Sequence, residues 1–284
     1  MTTATLRVGC KVNLYLRITG RRPDGMHTIE SLFYPMPVPA DTLHVEVRRE
    51  PGITVSCRLP FLRGQKNILA KAYHAYVAAA GSAPGLAVRL EKRIPVGAGL
   101  GGGSSNAAAL LSWLDQQTQA LGPQRLRSVA AQVGADVPFF LLGRPAWVTG
   151  IGECMEPVDL HLDDYARVII SPRVRVNTAW AYRRWDEAAS LLTPRSAPDK
   201  EAALAKPPVL WNDFEEVVFA RFPVIGRIKA AVLESGAISC VMSGSGSNLF
   251  ALFASAKASA AARRWVEKWQ AGWHEVPPGA SAYT

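Results

Sequence analysis

Residues 95–106 read Pro95-Val96-Gly97-Ala98-Gly99-Leu100-Gly101-Gly102-Gly103-Ser104-Ser105-Asn106, and they run straight into the Ala- and Leu-rich stretch 107–121. Glycines at 97, 99, 101, 102 and 103 let a backbone approach a ligand closely, in conformations that side chains disfavour. The Ser-Ser-Asn and the alanines behind it read as a helix start, so amide N–H groups and the positive end of a helix dipole converge there. Phosphate oxygens are the partners that such a loop suits.

Two common phosphate loops are separated from this one by spacing. Gly97-x-x-x-x-Gly102 is followed by Gly103-Ser104, where a P-loop needs lysine and then Ser or Thr, so the phosphate-binding lysine is missing. Gly97-x-Gly99-x-x-Gly102 satisfies the dinucleotide fingerprint and follows a strand-like stretch, Leu86 to Leu90. A nicotinamide-binding unit also wants an acid about 20 residues on, at the end of a second strand. Asp115 instead falls inside the helical run, and Gln124 to Val133 is helical again. An oxidoreductase is the competing enzyme class, and a plain packing turn is the non-functional alternative.

Outward from the loop, residues 5 to 58 read as strands: Val8, Val12, Leu14, Leu16 and Ile18 alternate, and Leu43 to Val47 alternates again beyond the proline-rich stretch Pro35 to Pro39. Helical spacing covers Asn67 to Ala80, Ser104 to Leu121 and Gln124 to Val133, each ended by glycine. Cys154 to Asp164 looks like an interdomain connection. Beyond it come strand Arg167 to Ile170, helices Thr178 to Ser190 and Val224 to Glu234, strands Ile238 to Met242 and Leu249 to Phe253, and helix Ala256 to Gln270. Residues 190–208 are polar and proline-dotted, and are expected to be mobile. The order is α+β, and 284 residues suggest two domains.

Composition narrows the class further. Hydrophobic residues make up 49% and charged ones 19%, enough for ordinary cores. Arg7, Lys11, Asn13 and Arg17 interrupt the first apolar run, and Ala107 to Leu114 is too short to span a bilayer, so neither a signal peptide nor a membrane segment is expected. Cys10, Cys57, Cys154 and Cys240 lie far apart and read as reduced thiols of a cytoplasmic protein. The net charge of +9 comes as scattered doublets rather than a basic tract. It suits a cleft for phosphate-bearing small molecules better than nucleic acid.

Pro95 to Ser105 resembles the central motif of the GHMP kinase superfamily. Three more segments match in order: Lys11-Val12-Asn13-Leu14, Asp24-Gly25-Met26-His27-Thr28 and Gly134-Ala135-Asp136-Val137-Pro138-Phe139-Phe140. Ser243-Gly244-Ser245-Gly246-Ser247 resembles its C-terminal glycine motif, so the likeness spans residues 10 to 250. The Asp24-to-Thr28 segment resembles the branch acting on a cytidine-diphosphate-linked methylerythritol in non-mevalonate isoprenoid synthesis, and argues against a homoserine or mevalonate kinase.

The resemblance implies an N-terminal domain of the ribosomal-protein S5 domain 2 type (1–153) and a ferredoxin-like C-terminal domain (154–284), with substrates between them. It implies transfer of the ATP γ-phosphoryl group to the substrate's 2-hydroxyl. Asp136 would be the general base and Lys11 the second catalytic residue. Pro95 to Asn106, Asn67 and Lys92 would hold the nucleotide; Asn13, Met26, His27, Thr178, Tyr182, Ser243, Gly244, Ser245 and Gly246 would hold the substrate. Mg²⁺ would bridge the phosphates, with Ser104 or Ser105 as a hydroxyl ligand. Where the family has an aromatic residue to stack on cytosine, this chain has Met26. Plain alternatives stand beside these roles: Asp136 as a helix N-cap, Lys11 pointing to solvent, Asn67 as a helix start, Lys92 as an exposed strand end, His27 as a surface residue and 243–247 as a simple turn.

Overall fold

The computed structural model describes residues 3–189 and 196–280. The chain forms two compact units: one takes Met1–Cys10, Pro39–Val96 and Gly101–Arg144, the other Lys11–Val38, Gly97–Leu100 and Pro145–Thr284.

Two long strands, β1 (Thr3–Arg21) and β2 (His27–Arg48), run through both units. β2 does not stop at the prolines. Pro35, Pro37 and Pro39 occupy alternate positions, so the missing N–H groups all fall on one edge of the strand.

The first unit adds β3 (Ile53–Cys57), α1 (Ile68–Ala80), β4 (Gly85–Glu91), α2 (Gly102–Thr118), α3 (Gly122–Val133) and α4 (Val137–Leu142). β4 lies antiparallel to β2, with Leu90 opposite Leu43, and β3 runs parallel to β4, with Val55 opposite Val88. Period-two alternation turns Leu43, Val45, Val55, Val88 and Leu90 inward. Leu69, Tyr73 and Tyr76 of α1, at helical spacing, share their core with Leu110 and Leu114 of α2 and Val129 of α3. Each such side chain contributes roughly 1.5–3 kcal/mol on burial.

Asp115 of α2 accepts hydrogen bonds from the Leu121 and Gly122 amides and from the Tyr76 hydroxyl. Closing that turn is its role, which removes the one acid that a dinucleotide reading had to hand.

The second unit adds β5 (Ala146–Thr149), β6 (Cys154–Pro157), β7 (Ala166–Ser171), α5 (Thr178–Ala189), α6 (Lys200–Ala203), β8 (Trp211–Asn212), α7 (Glu215–Arg221), α8 (Pro223–Glu234), β9 (Ser239–Met242), β10 (Leu249–Phe253), α9 (Ala256–Val266) and β11 (Gly272–Val276). Its four-stranded sheet runs β11-β7-β10-β9 with every neighbour antiparallel. Counted within the sheet, the order is fourth, first, third, second, which is the ferredoxin-like arrangement. Val168, Ile170, Met242 and Phe253 share a core with Ile225 and Ile228 of α8 and Val266 of α9.

Two expectations are corrected. Cys154 to Pro157 is a hairpin strand paired with β5, with Met155 opposite Val148, rather than a connection. Within 190–208, Asp199 caps α6 by accepting from the Ala202 amide, so this part is ordered by its own turn chemistry; residues 190–195 lie outside the described residues. None of the four cysteines is in a disulfide, and burial pushes the Cys240 thiol up to about 12, where it is unreactive at neutral pH. Among the described residues, no helix is long and apolar enough to cross a membrane.

Candidate active site

The glycine loop leaves β4 and enters α2. Gly97, Gly99 and Gly101 all take positive φ (66°, 80° and 66°), and Gly101 is the left-handed N-cap of α2. The helix therefore begins at Gly102, two residues before the expected Ser104. Its 17 residues carry a dipole whose positive end lies at Gly102–Ser104. The Ser105 hydroxyl donates to the Gly102 carbonyl at 3.0 Å and is buried, so of the two serines Ser104 is the one left to face a ligand.

In the second unit the first half of the loop is clamped by residues 243–248, which join β9 to β10. The Ser243 hydroxyl donates to the Gly99 carbonyl at 3.1 Å, and the Asn248 amide donates to the Ala98 carbonyl. Asn212 holds the clamp in turn, donating to the carbonyls of Met242 and Gly244. The 243–247 segment is thus more than a turn. Its sequence partner in the central motif touches it across about 145 positions of chain.

The same hydroxyl of Ser243 accepts from the Asn13 amide at 3.0 Å. Asn13 donates its own side-chain amide to Ser31 at 2.8 Å, and its carbonyl oxygen accepts from Lys11 Nζ at 2.6 Å. Lys11 does not point to solvent. Its residue surface is 5% exposed, and its ammonium lies 4.4 Å from the centroid of the Phe33 ring. Thr178, at the start of α5, shares a 2.8 Å hydrogen bond with the Ser245 hydroxyl.

His27 is likewise no surface residue. Its side chain is 8% exposed, its ring stacks on Tyr182 with centroids 4.4 Å apart, and its Nε2 donates to Asp186 at 2.7 Å. Arg21 reaches the other oxygen of Asp186 at 3.5 Å. Met26 is 50% exposed, with its backbone held in the turn by Arg22 and Asp24.

In the first unit, Lys92 is a buried partner of Asp41 rather than an exposed strand end. Beside it lies a cavity of about 820 Å³ lined by Arg58, Arg63, Arg89, Lys92 and Arg93 among others, which gathers part of the positive charge into one place. Asn67 caps α1: its oxygen accepts from the Leu69 amide at 2.9 Å while its nitrogen donates to Leu62, so the helix-start reading holds. Asp136 occupies the N-cap position of α4, yet its side chain makes no capping hydrogen bond, which weighs against the cap as its purpose.

Asp41, Asn248, Asp186 and Asn212 were not singled out from sequence. Asp41 did leave a signal: period two places it on the inward face of β2 with Leu43 and Val45.

Residues 67–144 match the N-terminal domain of the GHMP kinases and residues 199–271 their C-terminal domain. A protein of Solidesulfovibrio magneticus named 4-diphosphocytidyl-2-C-methyl-D-erythritol kinase is 45% identical over 87% of this chain and 88% of its own length. The chain belongs to the GHMP kinases. A protein of Lawsonia intracellularis, also named 4-diphosphocytidyl-2-C-methyl-D-erythritol kinase, is 40% identical to this chain over 89% of each. The crystal structure of a 4-(cytidine 5'-diphospho)-2C-methyl-D-erythritol kinase superposes with a TM-score of 0.78 at 35% identity, covering 96% of this chain and 99% of that one. A homoserine kinase from Cytophaga hutchinsonii, at 19% identity and a TM-score of 0.66, shares the fold.

Proposed function

We propose that this GHMP kinase transfers the γ-phosphoryl group of ATP to the 2-hydroxyl of 4-(cytidine 5'-diphospho)-2-C-methyl-D-erythritol, in isoprenoid precursor synthesis. The observation that carries this reading is the partly buried His27–Tyr182 stack in a chain 45% identical to a kinase named for that substrate. A ring pair with a histidine edge suits a pyrimidine base, which homoserine and mevalonate lack.

Phosphoryl transfer depends mostly on positioning and charge stabilisation. The loop 95–106 would cradle the polyphosphate with backbone N–H groups, and the cationic cavity beside Lys92 would receive the rest of the nucleotide, with Asn67 fixing the start of α1. Asp136 would accept the proton of the attacking hydroxyl, and the Lys11 ammonium, oriented by Asn13, would offset charge on the transferred group. Asn13, Thr178 and Ser243 to Gly246 would line the polyol and diphosphate, and Met26 with His27 and Tyr182 the cytosine. Residues 1–153 would form the ATP-binding domain and 154–284 the C-terminal domain, both contributing residues to the second substrate.

Among the described residues no three His, Cys, Asp or Glu side chains gather as a metal cage. Mg²⁺ is held largely by phosphate oxygens and water and needs few protein groups, and the partly exposed Ser104 hydroxyl would be its protein ligand. Bound there, the ion would neutralise phosphate charge. Four cysteines outside disulfides fit a cytoplasmic setting.

The test is ADP release by the purified protein against a panel of the cytidine compound, homoserine and mevalonate. ADP formed in step with phosphorylation of the cytidine compound is expected. Turnover of homoserine or mevalonate in its place would overturn the assignment.

A further inference from the structure

We propose that Asp41 is a positioning residue for ATP, fixing both ends of the phosphate loop and the Lys92 ammonium from one buried carboxylate. The proposal rests on the kinase reading above.

Asp41 is 0% exposed, and its two oxygens take four donors. Oδ1 accepts from the Arg93 amide at 2.7 Å and the Ile94 amide at 2.9 Å; Oδ2 accepts from Lys92 Nζ and, at 2.9 Å, from the Asn106 side chain. Residues 92–94 lead into the loop and Asn106 lies in α2, just past it. Seven residues, Pro95 to Gly101, hang between Ile94 and the start of the helix that carries Asn106, and three of them have left-handed backbones.

A buried carboxylate is costly unless it is fully paired and hydrogen-bonded. Only an anion serves here, because an asparagine at position 41 would turn N–H groups toward Lys92 or Asn106. The Asn106 side chain shows the strength of the demand: its nitrogen faces Asp41 while its own buried oxygen has no hydrogen-bond partner among the described residues. Helix and entry strand are also packed closely, since a Cβ on Gly102 would stand 2.7 Å from Ile94 Cγ2 and 3.2 Å from Lys92 Nζ. A loop tied at both ends has less freedom to lose when phosphates bind, and that lowers the cost of binding.

The experiment is steady-state kinetics with both substrates varied, well below each variant's Tm, for wild type, Asp41→Asn, Asn106→Ala, and Asp41→Asn combined with Asn106→Asp. Asp41→Asn should raise KM for ATP about tenfold or more, and Asn106→Ala several-fold, with KM for the cytidine substrate within about twofold. Exchanging the two residues keeps a carboxylate–amide pair at the same place and should recover most of the loss. Should Asp41→Asn fail to fold, Asn106→Ala decides alone. An unchanged KM for ATP, a parallel rise for both substrates, or no recovery on exchange overturns the proposal. A wild type that phosphorylates nothing with ATP overturns the kinase reading instead.

Discussion

A Cβ on Gly99 would stand 2.2 Å from the carbonyl oxygen of Ser243, so the two glycine motifs meet at a distance that no side chain at position 99 allows. Gly99 also has φ +80°, where an L-residue costs about 1–2 kcal/mol. Gly97 shares the positive φ but has open space around its Cβ position. Gly97→Ala is therefore expected to lower Tm by a few degrees, and Gly99→Ala by clearly more, because it adds a collision with backbone to the same strain. Thermal melts of the two variants check this. Equal losses would mean that the contact with Ser243 adds nothing.

Blocking the loop without breaking the fold calls for Gly103. Gly102 is buried and faces Ile94, whereas Gly103 is exposed and a Cβ there meets only Ile68 Cγ2, at an ordinary 3.7 Å. Gly103→Val is expected to melt near the wild-type temperature without nucleotide and to lose the upward shift with ATP, which at a hundredfold excess over Kd is worth ~2.7 kcal/mol. A retained shift would place the nucleotide away from this loop.

Asp136 makes no capping bond, so a turnover loss in Asp136→Asn would not trace to a lost helix cap. The variant is expected to lose roughly a hundredfold or more in kcat, the range of a general base, with KM for ATP close to wild type. Lys11→Met keeps the bulk against Phe33 while removing the charge and the bond to Asn13. It too should lower kcat more than it raises either KM. Near-normal kcat in folded protein would leave both residues structural.

How much of this was legible depended on the range of the interaction. Strand Leu249–Phe253 and helix Ile68–Ala80 follow from local pattern and capping, and the structure has them almost where alternation and glycine place them. β11 escaped because Gly272-Trp273-His274-Glu275-Val276 is partly buried on both faces and shows no clean alternation. For Lys11, alternation alone would favour the plain alternative of a side chain turned to solvent. Alternation puts Lys11, Asn13 and Tyr15 opposite Val12, Leu14 and Leu16, but both faces of this strand are covered, so the polar face is interior too. The chemistry of the loop could be read because glycine and serine at fixed spacing constrain it locally. The clamp by Ser243 and Asn248, and the anchoring by Asp41, join residues that only the folded chain makes neighbours.

Met26 offers the sharpest test of the cytosine assignment. It stands half exposed where relatives are expected to carry an aromatic ring, beside a His27 whose ring already rests on Tyr182. Tyr182 is itself held edge-on by Phe214, with centroids 4.8 Å apart, so it would serve the base partly by keeping His27 in place. A base stacked on an aromatic side chain is worth ~1–3 kcal/mol, against ~0.3–1.5 for a sulfur contact. Met26→Tyr is accordingly expected to lower KM for the cytidine substrate several-fold, up to about tenfold for a gain of ~1.4 kcal/mol, without moving KM for ATP. Tyr182→Ala should raise KM for the cytidine substrate, since it removes the ring beneath His27 as well as its own face. Steady-state kinetics of Met26→Tyr, Met26→Ala and Tyr182→Ala, each shown to be folded, distinguish the cases. If Met26→Ala leaves that KM unchanged while Met26→Tyr raises it, Met26 does not line the base pocket, and the base must be sought on another wall of His27.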